Sequence, residues 1–500
     1  MSTASLRAQI AALDGEISAQ RQHLLDLETA RDALDAQLRR AATFPIDKLP
    51  TELMSEVFIH CLESNPWHSE PRDSHYAPRL LMNVCKRWAL IAACTPALWK
   101  QLRLGITHTH QWKSNRWQRL LDVAALWLRN FKTRLEFDLS MEPLATGFHP
   151  SELSDILRLV AANGPKIGSF TLDLTPKHMV LLNNLSFPFD NLEELALYVT
   201  DLDDTKTVVR VGSGVFNGMS KLRKVLLYSV AASCVALPWS QITDFHTVMC
   251  SSSQALETLH LLPSLVYFAA KICDEDEEDR TDFATVAHPN LRHIQTLDER
   301  ATDQPHIIRF LALPNLETIR VADTVDEESF FLLLQHSEQP QLTNLDLRMS
   351  FEARESVTLG HARLRSLSGL LRLNTLKIRD PKFPFLQTLL TTLRLQLDFL
   401  PCLQKLEVLE VEMDVATDDI LDDFMWMIKV RAERWQEDSE STRLQYARFC
   451  STNRRGWATL VVPPHRREIL EKWKADGLNV HIGQEPVLER MSRDRLYRVD

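Results

Sequence analysis

Leu342-Thr343-Asn344-Leu345-Asp346-Leu347 and Leu373-Asn374-Thr375-Leu376-Lys377-Ile378 carry apolar residues at the same three places, the first, fourth and sixth. The spacing recurs at Ile167/Phe170/Leu172, Leu192/Leu195/Leu197, Leu222/Val225/Leu227, Leu256/Leu259/Leu261, Leu316/Ile319/Val321 and Leu406/Leu409/Val411, with a shorter form at Leu291/Ile294. Starts fall 25 to 35 residues apart. The alternation at the fourth and sixth places is that of a strand with one face buried. Recurrence on this scale is the signature of stacked repeats that bury a continuous core only together. Helical patterns separate the strands, as at Asp326–Gln335 with Phe330, Phe331 and Leu334, and at Leu386–Leu397. A strand, a helical return and another strand pair in parallel. The expectation over residues 166–415 is an α/β solenoid, a parallel sheet backed by helices.

Several repeats open on an aromatic or proline and an asparagine, as in Phe189-Asp190-Asn191-Leu192 and Leu313-Pro314-Asn315-Leu316. The pattern is similar to a leucine-rich-repeat horseshoe. It departs from that family where an asparagine or cysteine is expected three residues after the last leucine. Thr200, Val230, Ser264, Thr324, Ser350, Pro381 and Asp414 stand there instead, which predicts an irregular, flatter solenoid. Residues between the leucines are expected on the concave face: Tyr198, Tyr228, His260, Arg320, Asp346, Arg348, Lys377, Arg379, Glu410 and Glu412. The basic group Arg320, Arg348, Lys377 and Arg379, with Tyr198 and Tyr228, is the candidate surface for a client protein carrying acidic or phosphorylated groups. A solvated strand face is the alternative.

Residues 1–43 carry a different period. Leu6, Ile10, Leu13, Ile17, Gln20, Leu24, Leu27, Arg31, Leu34 and Leu38 alternate at spacings of three and four, the seam of a coiled coil. Ile10, Ile17, Leu24 and Leu38 take a positions; Leu6, Leu13, Leu27 and Leu34 take d positions. The seam implies a homodimer through residues 6–38, with Glu16 facing Arg21 of a parallel partner. The alternative is one long helix folded back on its own chain.

Between these regions lies a compact apolar stretch, residues 44–102. Phe44-Pro45-Ile46-Asp47-Lys48-Leu49-Pro50-Thr51-Glu52-Leu53 opens it. Pro50 suits the first helical position, and Glu52 the positive end of the helix dipole. Apolar residues follow at Leu53, Met54, Val57, Phe58, Cys61 and Leu62, a stripe wider than one buried face needs. After a polar insert over 63–78, Leu81, Val84, Cys85, Trp88, Ile91 and Ala92 predict a second helix, and Ala97-Leu98-Trp99 a third short turn. A unit this small hides only about 60% of its unfolded surface, and the surplus apolar area implies a docked partner.

Leu49-Pro50-x-Glu52-Leu53-x-x-x-Val57-Phe58 resembles the opening of an F-box. Val84-Cys85-Lys86-Arg87-Trp88 followed by Thr95-Pro96-Ala97-Leu98-Trp99 resembles its second half, with an insert between the halves as in the F-box-like proteins of fungi. The resemblance implies a small three-helix unit that binds a Skp-type adaptor and, through it, the cullin of a ubiquitin ligase, the chain itself selecting the client. It places Leu49, Pro50, Leu53, Val57, Phe58, Val84, Cys85 and Trp88 in or behind the adaptor interface. The alternative function is a scaffold that docks without ubiquitin transfer.

The remaining segments are a connection over 103–165 and a closing cap over 416–500. In the first, Leu102-Arg103-Leu104 predicts a strand, Trp117–Phe131 a helix with Leu120, Leu121, Ala124 and Leu128 on one side, and Leu135, Phe137 and Leu139 another strand. Ser151 is expected to cap a helix carrying Leu153, Ile156, Leu157 and Val160. In the second, Ile420–Trp435 and the run after Pro463-Pro464 predict helices, Leu478–Ile482 a final strand, and the last fifteen residues a frayed polar end.

Composition narrows the function classes. Net charge is −10, which opposes a general nucleic-acid binder. Eight cysteines stand apart with no C-x-x-C spacing, against a zinc site or disulfide framework. His108 and His110 lack nearby partners to complete a ligand set, and the acidic run Asp274–Asp279 reads as a solvated loop. No phosphate-cradling glycine loop, G-x-S-x-G or H-E-x-x-H occurs. No secretory signal and no apolar run of membrane-spanning length is present. The sequence therefore predicts an intracellular, non-catalytic α/β protein, cytoplasmic, nuclear or both, with no cofactor or metal and without nucleic-acid or membrane partners.

Overall fold

In the computed structural model of the chain the described residues are 3–41, 46, 49–62, 77–106, 114–131, 134–141, 150–200, 210–273, 283–298, 305–324, 327–338, 340–348, 364, 367–381, 383–396, 398–412, 417–433, 443–452, 462 and 464–484. His108, His110, the acidic run 274–279 and the last fifteen residues lie outside them, as does most of the insert 63–78. The architecture is α/β, with a long N-terminal helix and one large, open parallel sheet. Two compact units share the described residues, the first drawn from before Trp99 and the second from Trp99 onward.

The first unit contains α1 (Thr3–Ala41), α2 (Thr51–His60), α3 (Arg79–Val84) and α4 (Lys86–Cys94). Pro50 caps α2 in extended backbone, its carbonyl accepting the Met54 N–H at 3.0 Å, so it precedes the first helical position. The second apolar run is two helices. Cys85 is extended between them, and its Sγ accepts the Trp88 N–H at 3.4 Å as the N-cap of α4. Met54, Phe58, Leu81, Ile91, Ala92 and Leu98 form the core of this unit.

The second unit is organised by fourteen parallel strands hydrogen-bonded in chain order. They are β1 (Gln101–Ile106), β2 (Leu135–Met141), β3 (Ile167–Leu174), β4 (Glu194–Val199), β5 (Lys224–Tyr228), β6 (Asp244–Cys250) and β7 (Tyr267–Ile272). The second half is β8 (His293–Asp298), β9 (Thr318–Thr324), β10 (Asn344–Arg348), β11 (Thr375–Arg379), β12 (Lys405–Glu412), β13 (Tyr446–Thr452) and β14 (Asn479–Gln484). The sheet runs through the expected limits at 166 and 415, with two strands before the first and two after the second. Parallel neighbours need crossover connections of one hand, so strands added in one direction leave every return on the same face. Helices among these returns include α5 (Ser114–Asn130), α6 (Pro150–Ala161), α7 (Ser252–Leu261), α8 (Glu327–His336), α9 (Phe383–Leu395), α10 (Thr417–Glu433) and α11 (Pro464–Ala475). Helix α6 begins at Pro150, ahead of the cap expected at Ser151.

Successive layers are locked at the leading end of each strand. The Glu193 carbonyl accepts the N–H groups of both Arg223 and Lys224, and the carbonyls of Arg223, Thr243, Val266, Arg292, Glu317, Thr343, Asn374 and Gln404 each accept two from the following layer, all at 2.8–3.1 Å. Asparagine adds a side-chain rung at the same end. Asn191, Asn290 and Asn315 donate Nδ2 to the carbonyls of Pro165, Pro263 and Pro289 at 2.7–2.8 Å. The asparagine missing after the strand thus has a counterpart before it.

Two expected triplets are corrected. Leu256, Leu259 and Leu261 belong to helix α7, which Ser251 and Gln254 open with a capping box; that arrangement satisfies two free N–H groups at a helix start. His260 is therefore a helical residue. The strand of that repeat is β7, paired through Phe268 and Ala270. In β12 the buried register is Leu406 and Val408 against Leu376 and Ile378, three residues earlier than Leu409 and Val411. The earlier set wins because Leu403 precedes it fully buried and a bulge separates Val408 from Val411.

Apolar packing fills the returns' side. Phe137 and Phe170 stack at 5.5 Å, and Phe170 touches Phe187 and Phe189 at 5.4 and 4.9 Å. The C-terminal end of α9 is closed by a buried charge. Arg431 of α10 donates to the carbonyls of Leu393 (2.9 Å), Leu400 (3.2 Å), Gln396 (3.3 Å) and Phe399 (2.5 Å). Burial pushes its guanidinium pKa down to about 10, with Asp398 opposing. These bonds satisfy carbonyls that a helix end leaves without partners. Replacing Arg431 with methionine keeps the apolar stem but removes the side-chain donor from the Leu393 and Phe399 carbonyls, whereas those of Gln396 and Leu400 keep the N–H groups of Phe399 and Leu403. We expect a loss of about 3–5 kcal/mol in denaturant unfolding; a loss below about 1 kcal/mol would show that water satisfies them.

Candidate functional site

Two surfaces carry the residues singled out in the sequence. The first lies on the small helical unit. Met54 and Phe58, one helical turn apart on α2, point inward, and the Phe58 ring meets Trp88 of α4 at 5.0 Å. Thr95 Oγ1 donates to Ser55 Oγ at 2.9 Å, and Arg87 Nη2 donates to the Leu49 carbonyl at 2.9 Å. These contacts fix α4 across the start of α2 without using the neighbouring ridge. That ridge, Pro50, Leu53 and Val57, shares one side of α2 by its three- and four-residue spacing. All three are exposed, Leu53 at 53% and Val57 at 42%. Leu80 and Val84 make a similar exposed pair on α3, and Leu90 is 67% exposed on α4.

Of the expected adaptor-facing residues, Pro50, Leu53, Val57, Val84 and Cys85 are exposed and Leu49 and Trp88 half-buried. Phe58 is the exception. It is wholly buried, because it shares the inward face with Met54, so it supports the surface and does not form it. Leu80 and Leu90 were missed. They fall outside the apolar spacing that defines the second run, so only the fold reveals them.

The second surface is the face of the sheet opposite the returns. The strand registers align Arg103, Asp138, Thr171, Ala196, Leu226, His246, Ala269, Gln295, Arg320, Asp346, Lys377, Glu407, Arg448 and His481 into one row. Near its middle Leu226 and Ala269 are buried on either side of His246. Aromatic rings flank this floor, with Tyr198 against Tyr228 at 5.8 Å in the next row and His246, Tyr267 and His293 in succession at 5.2 and 6.4 Å. Asp244 holds His246 at 2.8 Å.

The basic group does lie on this face, but each of its members faces an acid within the chain. Asp346 faces Arg379 at 2.5 Å and Arg320 at 3.6 Å; Glu407 faces Lys405 at 2.7 Å and Lys377 at 3.4 Å; Glu410 faces Arg348 at 2.7 Å. Three acids thus serve five bases, and Arg379 is almost fully buried. Glu410 sits at the β12 bulge in left-handed backbone (φ 59°), a conformation strained for a residue with a Cβ that the pairing with Arg348 helps to hold. Burial pushes the Glu407 carboxyl up, but the hydrogen bond from Lys405 and the charges of both lysines outweigh it and lower its pKa. Burial also lowers that of Lys377, against Asp346 and Glu407. At the far end of the row, burial raises Asp138 to about 6, against the pull of Arg103.

Among the described residues no group of three or more His, Cys, Asp or Glu side chains could hold a metal ion, and no helix is long and apolar enough to cross a membrane. No protein-family model matches the chain, and no curated protein matches it.

The pairing predicts a structural penalty for disturbing the basic group. Asp346→Ala leaves the Arg379 guanidinium buried without its acid. Unfolding free energy should fall by about 3–5 kcal/mol. An Asp346→Ala/Arg379→Met double variant should recover more than half of that loss; no recovery would contradict the assignment.

Proposed function

We propose that the chain is the substrate-receptor subunit of a Skp–cullin–F-box type ubiquitin ligase. In this reading the small helical unit is an F-box and the sheet with its returns is an irregular leucine-rich-repeat-like solenoid. The observation that carries it is the division of apolar residues on α2. Met54 and Phe58 close the unit's own core, while Leu53 and Val57, at motif positions of the resemblance, stay exposed. Large apolar side chains left in a row on a small unit mark a protein interface, and residues 49–57 with Val84 supply that row. The adaptor then brings the ligase machinery, and the chain contributes recognition alone.

Client recognition belongs to the open face of the sheet. Its aromatic middle, Tyr198, Tyr228 and Tyr267 around the Leu226 and Ala269 floor, suits an interface centre, because tyrosine combines apolar area with a polar tip at low entropic cost. The matched bases Arg320, Arg348, Lys377 and Arg379 are better suited to orienting a polar client than to capturing phosphate alone.

Titrating purified Skp-type adaptor against the full chain tests the proposal. The parent should bind, and Leu53→Asp/Val57→Asp should weaken binding by about 100-fold or more while leaving thermal unfolding unchanged. Equal affinity for parent and variant contradicts the assignment. Binding without ubiquitin transfer to any client in the reconstituted ligase supports the scaffold function instead.

A further inference from the structure

Helix α1 is 39 residues long, roughly 58 Å at 1.5 Å per residue. Its seam residues Leu6, Ile10, Leu13, Ile17, Leu24, Leu27, Leu34 and Leu38 are each between 46% and 64% exposed. Such a stripe is what a coiled coil buries between helices. We propose that α1 pairs with α1 of a second copy of this chain, in parallel and in register, as a two-stranded coiled coil.

Three features of the sequence on this helix select that occupant and that direction. First, the N-terminal a positions are Ile10 and Ile17, followed by Leu24 and Leu38, while Leu6, Leu13, Leu27 and Leu34 take d positions, so the first heptads carry the β-branched-at-a, leucine-at-d arrangement that favours two parallel strands. Second, the flanking charges fit one direction. A parallel pair faces Glu16 with Arg21 of the second copy, twice by symmetry. A fully overlapped antiparallel pair sets a positions against d positions and brings e against e. Arg21 then meets Arg21, and Asp14 meets Glu28 twice; only Arg7 and Asp35 gain opposite partners. Like charges across such a rim oppose pairing and so set orientation.

Third, the polar seam positions fix the register. In-register pairing places Gln20 opposite Gln20, where the amides bond to each other; a slip of one heptad sets the amide against Leu13 or Leu27. Arg31 meets Arg31, a cost moderated because each guanidinium already contacts Asp32 at 2.8 Å and its long stem reaches out of the seam. One polar seam residue is the usual device for register at some expense of stability.

Parallel pairing has a geometric consequence. Ala41 ends α1 and Thr51 begins α2, ten residues apart in sequence, a span of at most about 36 Å. Both copies of the small helical unit therefore emerge at the same end of the coil. The pairing itself stands independently of the ligase reading; on that reading it presents two adaptor-binding units together.

Sedimentation equilibrium of the full chain tests this at micromolar concentration, with four full-length variants. The parent should be a dimer, and Leu24→Glu a monomer. Glu16→Lys alone and Arg21→Glu alone should each weaken association by about 3- to 30-fold, since each turns two attractive rim pairs repulsive. The double variant Glu16→Lys/Arg21→Glu swaps the charges and should restore association to within about 3-fold of the parent. In the antiparallel arrangement Glu16 faces Ala30 and Arg21 faces itself, so no such rescue follows. A monomeric parent, a dimer indifferent to Leu24→Glu, single variants without effect, or a double variant that fails to recover would each overturn the proposal. None of these readouts depends on adaptor binding.

Discussion

Almost every element of this protein is apolar on one side only and relies on a neighbour to cover it. A parallel strand cannot pair with the segment that follows it directly, because its partner arrives only after a crossover. Each layer here is therefore closed by the next. The repeated two-for-one carbonyl acceptor at the strand starts, from Glu193 through Gln404, shows how tightly that succession is kept. The asparagine rungs at Asn191, Asn290 and Asn315 fasten the same end, and Arg431 gathers the carbonyls at the C-terminal end of α9.

The same constraint shows where apolar surface is left uncovered. Within the sheet, the returns' side is covered by phenylalanine and leucine, and the opposite face is levelled by ion pairs at one end and by aromatic rings in the middle. On α2 and on α1 the covering is incomplete. Leu53 and Val57 are left by a core that Met54 and Phe58 already fill, and the α1 seam runs uncovered along the whole helix. Exposed apolar rows on otherwise satisfied elements are the places at which a second polypeptide gains the most.

Much of this was legible in the sequence because leucine spacing reports burial directly. Leu195/Leu197, Leu345/Leu347 and Leu376/Ile378 stand in the register their spacing implies, and a long helix over the heptad segment and a helix beginning at Pro464 appear where expected. Strands β6 and β13 escaped notice because phenylalanine, valine, alanine, threonine and cysteine hold their buried places. Leu256, Leu259 and Leu261 misled because Leu259 and Leu261 alternate as a strand would, while Leu256 and Leu259 share a helical face. The Ser251–Gln254 box was the signal that separated the two. Pairing of Arg320, Arg348, Lys377 and Arg379 with acids on other strands could not be read at all, since it depends on which residues the register brings opposite. That Phe58 lies behind the exposed α2 ridge and not on it had the same origin, a question of which of two adjacent ridges faces inward.

The central claim is that the apolar residues of the small helical unit divide into a sealed set and a set left for a partner. Hydroxyl-radical footprinting of the full chain, with and without a Skp-type adaptor, reads that division side chain by side chain. The account predicts slow oxidation of Met54 and Phe58 in both states, with Leu53, Val57 and Val84 reactive alone and Leu53 and Val57 protected when the adaptor binds. Slow oxidation of Leu53 and Val57 in the free chain, or unchanged reactivity in the complex, would contradict it.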